Sequence, residues 1–204
     1  MGILKRKKLI AVAALTLTAM LLFTTVSFAD EVTAGTDNPV NETESDKVTV
    51  MLTGDLMCQR IQQLRAFDGT SYNFKPTFKY VKNIFDKADI VVGNLETLVS
   101  KSLPLSKDMS RLQNKPYLNA PEEWLDALEY AGFDGFIMAN NHACDGGKTG
   151  IIETLEELDS RSIPHTGLFA DKNSKRYFII EENGIKVGVI SYAAYYNLKD
   201  KFLT

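Results

Sequence analysis

The sequence predicts an α/β fold on a mostly parallel sheet. Three observations lead there. Short β-branched runs alternate with segments whose apolar residues recur every three or four positions. The helical segments are punctuated by proline at the start and glycine at the end. Three successive apolar runs finish in polar turns, as strands do where a parallel sheet opens toward a ligand.

VTVMLTGD, residues 48–55, is the first strand, ending in Gly54 and Asp55. PTFKYVKNIFDKA, residues 76–88, puts Phe78, Val81, Ile84 and Phe85 on one face and predicts a helix. DIVVGNLE, residues 89–96, is the second strand, and residues 100–119 read as a polar loop. APEEWLDALEYAGF, residues 120–133, predicts a helix with Pro121 at its start and Gly132 at its end. DGFIMAN, residues 134–140, is the third strand, and GKTGIIETLEELDSRS, residues 147–162, the next helix. A short strand is expected near residues 164–167. Last come RYFIIEE and IKVGVISYAA, which flank Asn183-Gly184, a two-residue hairpin turn. The order strand, helix, strand, helix, strand gives parallel pairing with helices on the sheet.

The strand ends carry the chemistry. Asp55 closes the first, Asn94 and Glu96 the second, and Asn140, Asn141 and His142 the third, with Asp145 three residues on. Polar groups at the end of a buried strand cost free energy unless paired. A metal ion or an anionic substrate would pair with them. The oxygens of Asp55, Asn94, Glu96 and Asn141, with the His142 imidazole, suit a divalent cation such as Mg²⁺, Mn²⁺, Fe²⁺ or Zn²⁺. Such an ion acidifies bound water and polarises a phosphoryl or carbonyl oxygen. The glycines before Asp55 and Asn94 are expected to turn the backbone sharply out of the sheet. Gly146-Gly147 opens a helix whose N-terminus favours an anion. Each residue also has an ordinary role. An aspartate after a strand is often a helix N-cap, a loop histidine is usually solvated or hydrogen-bonded, and Asn140 reads as a turn residue. Their coincidence at three strand ends favours a site.

Residues 1–29 read as a signal peptide or an N-terminal membrane anchor. Lys5, Arg6, Lys7 and Lys8 precede an apolar run that ends in Ser27-Phe28-Ala29. Either reading places the remainder outside the cytoplasmic membrane. No cysteine lies near Ala29, which argues against a lipoprotein anchor. Residues 30–47 form an acidic flexible linker, and residues 48–204 the folded domain. The chain's net charge is −3; without the four basic residues of the leader it becomes −7. That argues against a nucleic-acid surface and a polybasic membrane contact. Cys58 and Cys144 leave two alternatives open, one disulfide or two buried thiols.

TGDLM, FKYVKNIFDKADIVVGNLET, NAPEEWLDALEYAGFDGFIMANNHACDGGKTGIIETLEELD and IPHTG resemble the capsule-synthesis CapA family. This is the poly-gamma-glutamate capsule group of the calcineurin-like metallophosphoesterase superfamily. The resemblance runs from about residue 48 to residue 194. It implies a sandwich of two sheets flanked by helices, in an extracytoplasmic, membrane-associated protein of cell-envelope polymer production. The partners it implies are the capsule polymer synthesis and export machinery and an anionic polymer or phosphate-containing substrate.

By that resemblance Asp55 matches the first metal motif, with Met57 where a histidine would stand. Glu96 would be the bridging carboxylate beside Asn94, Asn141 would bind metal, and His142 would act on the substrate as acid or charge stabiliser. Asn140 replaces a glycine and Asp145 is displaced. The superfamily supplies further histidines downstream, whereas none follows His165 here, and His165 reads as structural. The resemblance thus implies the N-terminal half of a longer protein, with one face of its core exposed and no dinuclear site on this chain alone. Two functions follow: a non-catalytic component of capsule or poly-gamma-glutamate synthesis or export, or a metal-dependent phosphoesterase or hydrolase. A solute-binding domain using the same crevice is a weaker third.

Overall fold

The computed structural model describes residues 47–106 and 117–197. The leader reading at residues 1–29, the linker up to residue 46 and the middle of the polar loop lie outside the described residues.

The elements are β1 (Val50–Asp55), α1 (Arg60–Ala66), α2 (Lys75–Phe78), α3 (Lys82–Phe85), β2 (Ile90–Asn94), α4 (Glu123–Ala131), β3 (Gly135–Ile137), α5 (Gly147–Ser160), β4 (His165–Thr166), β5 (Phe178–Glu182) and β6 (Ile185–Val189). Strands β1-β2-β3-β4 form one sheet in that order, and β5-β6 form a separate hairpin. Every pairing in the four-stranded sheet is parallel, with Val50 opposite Ile90, Val92 opposite Gly135 and Phe136 opposite His165. The α/β class with a parallel sheet is therefore as the sequence predicted.

β2 explains the layering. Ile90, Val91, Val92 and Gly93 are all buried, as a strand covered on both faces must be. Val91 faces the larger core with Phe78, Trp124, Leu128, Phe133 and Phe136. Ile90 and Val92 face the hairpin through Phe178, with Ile180, Val187 and Val189 packed alongside. Helices thus cover one face and a small second sheet the other. Leu52 of β1 and, beyond β6, Ile190 and Tyr192 are exposed, at 74%, 65% and 76%.

α4 buries Trp124, Leu125, Ala127, Leu128 and Ala131 and ends at Gly132, whose φ of 99° is the left-handed conformation glycine tolerates. Phe74 meets the Trp124 ring edge-on at 5.3 Å, an arrangement that adds to area burial. Asn183 and Gly184, with φ of 51° and 76°, make the expected turn between β5 and β6.

Three local expectations change. The helix over residues 76–88 is two short helices, because the joint closes by three-residue bonds: the Val81 N–H donates to the Phe78 carbonyl at 3.1 Å and the Ile84 N–H to Val81 at 2.8 Å. α1 had no apolar signal, since the residue it buries is Gln63, while Ile61 and Leu64 are exposed. Gly93 is needed for space and does not turn the chain. A Cβ there would come within 2.5 Å of Leu56 Cδ1 and 2.8 Å of Phe133 Cε1. Gly54 likewise lies inside β1.

Candidate functional site

The parallel register sets the carboxyl ends of β1, β2 and β3 side by side. Asp55 stands opposite Asn94, and Asn94 opposite Ile137. The polar residues beyond these positions are joined in sequence across the sheet. Asn94 Nδ2 donates to Asp55 Oδ1 at 2.8 Å. Asn140 Nδ2 donates to Asn94 Oδ1 at 3.1 Å and to the Leu95 carbonyl at 3.0 Å. Asn140 Oδ1 accepts the His142 backbone N–H at 3.1 Å. Asn140 is therefore the turn residue the sequence suggested, and its amide also ties the turn to β2.

His142 is buried at the head of this turn. Its Nδ1 lies 2.7 Å from Asp145 Oδ2, and its Nε2 lies 3.9 Å from Glu96 Oε1. Asp145 Oδ2 also accepts the Leu118 N–H at 2.9 Å. The Asp145 side chain is fully buried, and burial moves its carboxyl up against the opposing pull of His142.

Glu96 is buried too. Its carboxyl is pushed up to about 7, first by burial and then by Asp55, whose hydrogen bond and charge both disfavour ionisation; His142 pulls the other way. Glu96 Oε2 and Asp145 Oδ1 are buried with no hydrogen-bond partner. Asp55 is exposed and Asn141 half-buried. The Asn141 carbonyl accepts the Asn197 N–H at 2.9 Å, so the segment after β6 returns to the third strand end. Tyr196 packs on the helix-side core there.

The structure thus brings Asp55, Asn94, Glu96 and His142 into contact at the strand ends, with Asn141 next to His142 in the chain. Among the described residues, no three His, Cys, Asp or Glu side chains form a metal-holding group by themselves. A cation here would draw on the amide oxygens as well. The donor set still suits one: two carboxyl groups crowd each other, and one buried Glu96 oxygen lacks any partner. A positive charge relieves both conditions.

Sequence reasoning missed the Asp145 partnership and the returning 191–197 segment. The three-residue spacing of His142 and Asp145 in a turn was the available signal for the first; nothing local marked the second. His165, which the sequence reads as structural, lies in β4. Its Nδ1 lies 2.9 Å from the Ile163 carbonyl oxygen. Cys58 and Cys144 are both buried and free, which resolves the open alternative. Burial pushes the Cys58 thiol up to about 12.

A parallel sheet with helices on one face and a second sheet on the other is an α/β architecture consistent with the metallophosphoesterase-like type. The sequence matches the family described as bacterial capsule synthesis protein PGA_cap over residues 49–202, and the chain belongs to that family. It is 30% identical over 156 residues to the capsule biosynthesis protein CapA of Bacillus anthracis, covering 76% of this chain and 36% of that relative. It is 26% identical over 160 residues to the PGA biosynthesis protein CapA of Bacillus subtilis, covering 76% of this chain and 40% of that protein. An uncharacterized protein, y4uA of Sinorhizobium fredii, is 28% identical over 124 residues, with 60% and 25% covered. The chain thus spans well under half the length of the relatives it matches. Among the described residues no helix is long and apolar enough to cross a membrane.

Proposed function

We propose that the chain belongs to an extracytoplasmic protein of capsule or poly-gamma-glutamate biosynthesis or export, whose strand-end crevice engages an anionic polymer through a divalent cation. The observation that carries the reading is the family match over residues 49–202, which takes in all three strand ends. The relatives named for capsule and PGA biosynthesis support it. The charge of the crevice supports the cation: Asp55, Glu96 and Asp145 would repel an anionic polymer, and a metal ion reverses that sign. Residues 1–29 would export or tether the domain, and the synthesis and export machinery would be its partner. The test is genetic. Deleting the gene should abolish surface polymer in its host, and the wild-type chain in its native gene context should restore it. Asp55→Ala should fail to restore it. Polymer unchanged by the deletion would refute the proposal.

A second reading, a metal-dependent phosphoesterase or hydrolase of the cell envelope, is favoured by one arrangement. His142 is backed by Asp145 and turns Nε2 toward Glu96. Asp55, Glu96, Asn141 and Asn94 would hold the cation, which when bound polarises the scissile group and acidifies water. His142 would exchange a proton with the substrate from its buried position. Hydrolysis of a chromogenic phosphodiester, lost in His142→Ala, is the outcome this reading requires. A rate equal in both proteins would eliminate it.

A further inference from the structure

We propose that the cavity between the C-terminal end of α5 and β4 binds an apolar amino acid as its zwitterion, with the ammonium between Asp159 and His165 and the carboxylate at Lys175. The cavity has a volume of about 450 Å³ and is closed on its outer side by residues of the 168–178 segment. That volume lies within the range of small-molecule sites. The place is remote from the strand-end residues. α5 starts at Gly147, soon after the His142 turn, and its 14 residues span about 21 Å, with Asp159 in the last turn. The inference goes beyond the cation and polymer reading and does not depend on it.

Two acceptors face each other in this cavity. His165 Nδ1 lies 2.9 Å from the Ile163 carbonyl oxygen. A carbonyl only accepts, so Nδ1 carries a proton, and the neutral ring offers a bare Nε2. That Nε2 stands 3.8 Å from Asp159 Oδ1. The gap is too long for a hydrogen bond, yet one shared donor fits at ordinary length from each. The C-terminal end of α5 adds its own negative pole. Arg161, the next cation along the chain, is taken up by Asp126, Glu129 and Glu157. Among the described residues no lysine or arginine pairs with Asp159. Lys175 brings the opposite charge to the same cavity. Its Nζ lies 4.4 Å from the centre of the Tyr177 ring, and it has no carboxylate partner among the described residues. Leu155, Ile163, Leu168 and Phe178 are buried and form the apolar wall. An amine alone would leave Lys175 unmatched, and a carboxylate alone would leave Asp159 and His165 unmatched. A ligand that carries both charges on an apolar body complements the whole lining.

The test titrates the nitrogen-15-labelled full chain, with chelator present, against leucine, methionine and phenylalanine in turn. The chain has only two histidines, so His165→Gln identifies the His165 ring signals by their loss. At least one of the three amino acids should shift those signals and the Thr166 and Gly167 amides along a saturating curve. For the amino acid that binds, the analogue without its amine and the analogue without its carboxylate should each bind about tenfold more weakly or worse. Asp159→Asn and Lys175→Gln change exposed side chains. Each should weaken binding by about tenfold with the unfolding temperature unchanged. No saturable shift with any of the three amino acids would overturn the proposal. So would either analogue binding as tightly as the amino acid, or an affinity unchanged in either variant. Because metal and polymer are both absent, the result stands or falls apart from the experiments on the strand ends.

Discussion

His142 Nε2 and Glu96 Oε1 face each other at 3.9 Å, both side chains buried, from the ends of two adjacent parallel strands. At that distance neither is fully hydrogen-bonded to the other, and Glu96 keeps one buried oxygen without a partner.

Acidity follows from Glu96. Its carboxyl titrates at about 7 in the fold against an ordinary 4.5. The folded state therefore holds a proton that the unfolded chain has released across that window. Stability should fall as pH rises from about 4.5 to about 7, the reverse of a salt-bridged carboxylate. The effect is on the order of 1 kcal/mol. Glu96→Gln should flatten the slope of urea midpoint against pH in the metal-free protein. An unchanged slope would place the titrating group elsewhere.

Gly93 and Gly54 should separate sharply. Alanine at 93 must push Leu56 and Phe133 aside, at a cost of about 1–3 kcal/mol. Nothing lies within 4 Å of a Cβ at 54, so Gly54→Ala should change stability by less than about 1 kcal/mol. Equal losses in denaturant unfolding would contradict the packing described for β2.

Asn119 is a buried amide that organises the segment leading to Leu118. Its Oδ1 accepts the Ser100 N–H at 2.8 Å, and its Nδ2 reaches the carbonyls of Ser100, Leu103 and Pro104. Asn119→Ala leaves several buried backbone groups unpaired and should cost about 2–4 kcal/mol. Thermal unfolding within a degree of wild type would show that these bonds are replaced by water.

The two cysteines should behave as buried thiols. Reductant should leave the unfolding temperature unchanged, and a thiol reagent should modify Cys58 only after denaturation, since burial holds the thiol up to about 12 and the thiolate is the reactive form. Rapid labelling of Cys58 in the folded chain would contradict its placement.

The parallel sheet was legible because β2 reads as one unbroken apolar run and because α4 and α5 carry helical periods closed by Gly132 and opened by Gly147. The strand-end residues were legible for the same reason: polar groups abruptly following such runs need an account. The division of α2 from α3 was hidden, because Phe78 and Val81 satisfy a helical period whether or not the hydrogen bonds between them do. α1 was hidden because the side chain it buries is Gln63, donating to Cys58 and Asn119. Asp145 was visible as a residue and invisible as a partner, since its value depends on Leu118, which is 27 positions away.

The most direct test of the cation site is the metal content of the full chain. Wild type purified without chelator and equilibrated with Mn²⁺ or Zn²⁺ should retain one or more equivalents, and Asp55→Ala and Glu96→Gln should each lose them with the fold intact. Failure of the wild-type chain to retain any divalent ion, or equal retention by both variants, would contradict the assignment of the strand-end crevice as a cation site.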